Sequence, residues 1–183
     1  MSLQASAAEP VKLHGVVLLQ PEFILKDRVP SATALSVYIQ SAQAAAAAAV
    51  RAQGTPAPNS GFIVIAVRPG LESKVWLDFD KPLPAPLRTD LVNRVGAVKP
   101  FAAQVGPVVF GIHVGLSGGA ASARQQPQPA EWSAAASKLS EPIEIGDLVE
   151  RIWPKYAEKE YDKEREEAQK ELNKERKERY KDH

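Results

Sequence analysis

With 183 residues, 44% of them hydrophobic, the chain is long enough for one domain with a packed core and an appendage. Its formal net charge of +1 gives no overall field to draw in nucleic acid or an anionic membrane surface. Cysteine is absent, which excludes disulfides, thiolate metal sites, thiol nucleophiles and iron–sulfur clusters, and no segment is long and apolar enough to span a bilayer.

Residues 1–10 read as a flexible N-terminal segment. Met1-Ser2-Leu3 has the look of an expression leader, and Ala5-Ser6-Ala7 carries the small-x-small pattern that signal peptidases leave. Export to the periplasm is one expectation, and a cytoplasmic protein with an Ala/Ser-rich terminus is the other.

Residues 11–154 read as a single soluble α+β domain. Leu13–Leu19 is the first expected strand. Ser31 follows Pro30 and can cap a helix to about Gln53, in which Leu35, Ile39, Ala42, Ala46 and Val50 share a face and Gly54 is the stop. The alanine run from Ala44 to Ala49 favours helix and lets it lie close to a sheet. Gly61–Arg68 and Lys74–Phe79 are strands, and Pro69-Gly70 between them suits a type II turn and an antiparallel hairpin. A helix from about Leu87 to Val95 ends at Gly96, and Val105–Val114 is the fourth strand. Ser117–Pro129 reads as a loop that is either functional or mobile, with a mobile loop the leading expectation. Short helices follow at Ala130–Leu139 and Ile145–Trp153.

The first six elements, β-α-β-β-α-β, match the split β-α-β sandwich, the ferredoxin-like topology, with antiparallel strand order 4-1-3-2. After the border at Trp153-Pro154, residues 155–183 hold 10 Lys/Arg and 10 Asp/Glu and read as a charged helical tail. Its few apolar residues form no heptad seam, so a solvated helix is expected, with docking to a partner as the alternative.

Several groups of residues bear on chemistry. Gly115-Leu116-Ser117-Gly118-Gly119 fits G-x-S-x-G after a strand, the pattern of a nucleophile elbow. Its context argues against that role: Gln-Pro-Gln-Pro follows in place of a helix, and the one downstream histidine is His183. His14 and His113 come to one end of the sheet if strands 1 and 4 are neighbours. A zinc site would then need a third ligand such as Glu22 or Asp27, and two unrelated histidines are the blander reading. Asp78 and Asp80 share one strand face with Trp76 while Val75, Leu77 and Phe79 face the core. Paired carboxylates can hold a hard cation, but this alternation is also what a half-exposed strand requires.

RNA-recognition modules share the β-α-β-β-α-β order. Here Ser60-Gly61-Phe62-Ile63-Val64-Ile65 falls on strand 2 without basic flanks, and Asp78 and Asp80 repel phosphate, so no nucleic-acid partner is expected. Neither a phosphate-binding glycine loop nor a dinucleotide fingerprint is present, and no cofactor is expected. Trp76 and Trp132 are the candidate partly exposed protein contacts, with buried packing the safer reading of Trp132. The leading expectation is a non-enzymatic protein-binding or assembly module of the bacterial cell envelope, which meets a protein partner or self-associates through its sheet, a sheet edge or its tail. The alternative is a small serine hydrolase or metal-dependent enzyme using Ser117 or His14 with His113.

Overall fold

The computed structural model describes residues 9–154 together with Glu167, Lys170, Glu171 and Lys174. The signal-remnant expectation, and most of the tail with its partner-docking and self-association expectations, lie outside the described residues. The chain divides into two units, Met1–Val149 and Glu150–His183.

The elements are β1 (Val11–Leu18), α1 (Glu22–Arg28), α2 (Ala32–Ala52), β2 (Asn59–Arg68), β3 (Glu72–Phe79), α3 (Ala85–Gly96), β4 (Val108–Leu116), α4 (Ala130–Ala136) and α5 (Ile145–Ile152). The α+β class and the expected strands and helices are present, and α1 is an addition. It is one short turn-and-a-half after Pro21, whose carbonyl accepts the N–H groups of Ile24 and Leu25. Ser31 caps α2: its Oγ accepts from Ala34 N–H at 3.0 Å. The β2–β3 hairpin forms around Pro69-Gly70 with Gly70 at φ 96°. Leu71 is also left-handed at φ 59°, so the loop holds three residues between the Arg68–Glu72 pair.

The sheet has four antiparallel strands in the order β1-β4-β2-β3. This corrects the ferredoxin-like order 4-1-3-2. β1 and β4 are neighbours as expected, but β4 and β2 take the centre and β1 and β3 the edges. The physical reason lies in the side chains. β2 (NSGFIVIAVR) and β4 (VVFGIHVGL) are apolar on both faces, as a strand needs when both faces are covered, and nearly every residue in them is buried. β1 and β3 carry Lys12, His14, Glu72, Lys74 and Asp78 and are only partly buried, which suits the rims.

One face of the sheet presents Ile63, Ile65, Val67, Val108, Phe110, Ile112, Val114 and Leu116 to α2 and α3. Ala42, Ala46 and Ala49 of α2 have no exposed surface, so their small side chains set the helix close against the strands. Leu87, Leu91 and Val95 of α3 complete this core, each contributing about 2 kcal/mol by burial.

The opposite face is also covered. Residues 117–129 and α4 lie across it, so the segment expected to be a mobile loop is bonded to the sheet along its length. At one corner, buried Gln20 satisfies every polar atom of its amide. Its Nε2 donates to the Pro107 carbonyl (3.1 Å) and Glu144 Oε1 (2.9 Å), and its Oε1 accepts from Val109 N–H (2.9 Å).

Candidate functional site

Strand register builds the second sheet face in rows. Gly15, His113, Phe62 and Asp78 stand opposite one another across β1, β4, β2 and β3, and Val17, Gly111, Val64 and Trp76 form the next row. The β1–β4 register shifts between Leu13 and Gly15, which leaves His14 as the extra residue. A bulge of this kind re-aims a side chain. Here it places the His14 ring 5.6 Å from that of His113. His113 stacks on Phe62 with centroids 4.6 Å apart and planes 21° apart. The structure thus brings His14 and His113 together at one end of the sheet.

A strap formed by residues 117–129 closes over these rows. His14 Nε2 lies 3.1 Å from the Gly119 carbonyl oxygen, Ser60 Oγ donates to the Ala120 carbonyl, and Ser122 N–H donates to His113 Nε2 at 2.9 Å. Arg124 is the clamp. Its Nε donates to Asp80 Oδ1 (3.0 Å), Nη1 to Asp78 Oδ2 (2.7 Å) and Nη2 to the Asp78 carbonyl (2.9 Å), while the guanidinium sits 5.5 Å from the Phe62 centroid. Ser122 Oγ also donates to Asp80 Oδ1, and Gln128 N–H to Asp78 Oδ2. Pro127 rests against Gly111.

These contacts decide what the sequence-predicted residues do. Asp78 and Asp80 lie on one face as expected, but the strap lies over that face, and one oxygen of each, Asp78 Oδ2 and Asp80 Oδ1, accepts two hydrogen bonds from it. The hydrogen bond to Asp78, followed by that to Asp80, raises the Arg124 pKa above its ordinary value. Burial, then the charge of His14, holds His113 below the usual histidine value; Asp80 pulls it up and Arg124 adds to the lowering. Glu22 pairs with Lys26 on the exposed side of α1. Among the described residues no three His, Asp or Glu side chains are grouped so as to hold a metal ion.

The G-x-S-x-G pattern has a packing origin. A side chain at Gly115 would overlap the Gly119 carbonyl, and one at Gly119 would overlap the Asn59 carbonyl. The two outer glycines are therefore where the strap folds back flush on β4 and β2. Ser117 sits in this turn at φ 50°, its N–H bonded to the Pro10 carbonyl, and no helix follows it. Among the described residues no hydrogen bond joins its hydroxyl to either histidine, and the Nε2 of His14 is engaged by Gly119. The nucleophile–base contact that defines such a site is not made.

Trp132 is buried, the safer of its two readings, and Trp76 is buried too rather than partly exposed. They are 5% and 6% exposed and pack edge to face at 5.3 Å, because α4 lies on the face where Trp76 points. Trp76 Nε1 donates to Glu131 Oε2 at 2.6 Å, whereas among the described residues Trp132 Nε1 has no acceptor. Trp132 also lines a cavity of about 280 Å³ with Leu19, Pro127, Ala136, Ile145 and Leu148. Sequence reasoning missed Arg124 and Ser122. The signal was present: Arg124 is the one charged residue between Ser117 and Pro129.

Open surface lies instead along β1. Leu13, Val16 and Leu18 pair with Val114, Ile112 and Phe110, so they share the helix-side face, yet they are 39%, 38% and 50% exposed. Among the described residues the sheet has no further strand beyond β1.

No family model, curated protein or solved structure matches this chain. Among the described residues no helix is long and apolar enough to cross a membrane.

Proposed function

We propose that this chain is a non-enzymatic protein-binding module that takes an extended, apolar segment of a partner protein along its β1 edge. The observation that carries this reading is the contrast between β1 and the rest of the sheet. Leu13, Val16 and Leu18 remain open beside a strand edge, while the large apolar residues of the central strands are buried. An edge strand presents unpaired N–H and C=O groups, and an added strand satisfies them while its alternate side chains meet the exposed apolar row. The scarcity of assembled catalytic groups points the same way: the paired histidines and both aspartates are committed to holding the strap.

The test is selection from a library of extended peptides, followed by residue-level amide exchange on the complex. Peptides with alternating apolar residues are expected to emerge, to protect amides of β1, and to lose binding when Val16→Lys and Leu18→Lys are introduced. Self-pairing of β1 between two copies would appear as concentration-dependent protection of the same amides without peptide. Binders that map to α3 or the strap, or a library that yields none, refute the reading.

A further inference from the structure

We propose that residues 119–124 form an acid-released strap, which lies on the sheet while His113 is neutral and lifts when His113 takes a proton, uncovering the Phe62 side of the sheet. The proposal stands on the polarity of two hydrogen bonds. Ser122 N–H donates to His113 Nε2, so that nitrogen must carry a lone pair, and the neutral ring holds its proton on Nδ1. Protonation sets N–H against N–H and the bond is lost. His14 works with the opposite sense. Its Nε2 faces the Gly119 carbonyl oxygen, which can only accept, so Nε2 is the donor, and a second proton on the ring leaves that contact intact. Acid therefore cuts the strap at Ser122 and spares it at Gly119.

The surrounding charges favour release over mere loss of one bond. The groups facing His113 are His14 from β1, Asp80 just past β3 and Arg124 from the strap, while β2 presents the uncharged Phe62. A charged His113 repels Arg124, the clamp that holds the strap to Asp78 and Asp80. Asp80 opposes this, yet it already accepts from Ser122 Oγ and Arg124 Nε.

The sign follows from linkage. Burial and its cationic neighbours hold His113 below its ordinary value in the closed form, so the open form binds the proton more readily. The closed form is fully favoured above the ordinary histidine value of ~6.5. Its advantage declines as pH falls from there toward the lower value of the closed state and is then constant.

Residue-level amide exchange on the full chain tests this, with rates normalised to the intrinsic rate at each pH. Between pH 7.5 and 5.0 the protection of the Ser122 and Arg124 amides is expected to fall about fivefold, the worth of one net hydrogen bond. His113→Gln supplies a neutral acceptor that does not titrate, so its protection should be flat with pH. His14→Gln should keep the pH dependence. Flat protection in the parent chain, or an undiminished fall in His113→Gln, overturns the proposal. If His113→Gln does not fold, the ring resonances of His113 decide. Proton uptake that coincides with the loss of strap protection supports release, and uptake with an unmoved strap refutes it.

Discussion

Replacing Arg124 with alanine removes three donated hydrogen bonds and a guanidinium over Phe62 in one step. The size of the loss can be worked from exposure. The Arg124 side chain is 37% exposed, Asp78 13% and Asp80 35%. The two bonds to Asp78, to its carboxylate and its carbonyl, are the better shielded and together should contribute about 1 kcal/mol, while the more exposed pair with Asp80 contributes about 0.5 kcal/mol after solvent screening. The ring contact adds about 0.5 kcal/mol. Asp78 keeps Gln128 N–H and Asp80 keeps Ser122 Oγ, so neither carboxylate is stranded. The total is about 2 kcal/mol, read as a shift in urea midpoint at constant slope. Arg124→Lys should recover less than half, because an ammonium cannot span both aspartates in the fork geometry. A double-mutant cycle with Asp78→Asn should return a coupling near 1 kcal/mol. A loss below about 0.5 kcal/mol would mean the clamp is a surface pair of no consequence. A loss above about 4 kcal/mol would mean the carboxylates behave as buried charges and the screening argument is wrong.

The glycines of the strap turn offer a contrast with an internal control. Gly115→Ala drives a methyl into the Gly119 carbonyl and should cost about 3 kcal/mol, whereas Gly15→Ala meets nothing within 4 Å and should stay within about 0.5 kcal/mol. Equal denaturation midpoints for the two variants would refute the packing account of the G-x-S-x-G pattern. Val105 is a β-branched residue at φ 66° with 87% of its surface exposed. Val105→Asn should raise stability by about 1 kcal/mol, seen as a Tm increase of roughly 3 °C in calorimetry; a decrease would mean that Val105 makes a contact that offsets its strain.

Much of the local structure was legible in the sequence because it is locally determined. Ser31 caps α2 through its own neighbour Ala34, and Pro69-Gly70 turns the chain on its own φ preferences. The assignment of Val75, Leu77 and Phe79 to the core side of β3 also held, since alternation needs no knowledge of partners. Strand order is a different matter, because it depends on which distant segments meet. The deciding cue was nonetheless present: the unbroken apolar runs of β2 and β4 mark strands covered on both faces, and the mixed β1 and β3 mark rims. The element order β-α-β-β-α-β points instead to the ferredoxin-like arrangement, and the chemistry of the strand faces overrides it. The strap was missed because small residues and prolines have no periodicity. Its hold on the sheet comes from glycine-sized clearances and from Arg124, which only the fold brings to Asp78 and Asp80.

The strand order also bears on how the chain acquires its fold. β4 stands between β1 and β2, so the two strands made first never pair with each other and are joined only through the last one. Val11 pairs with Leu116, close to the largest loop the sheet could close, and that closure entropy must be met before β1 pairs with β4. Before β4 is made, the only strands of this sheet that can pair are β2 and β3. The sheet is completed when β4 inserts between β1 and the hairpin, so destabilising β4 should slow folding more than equal damage to β1.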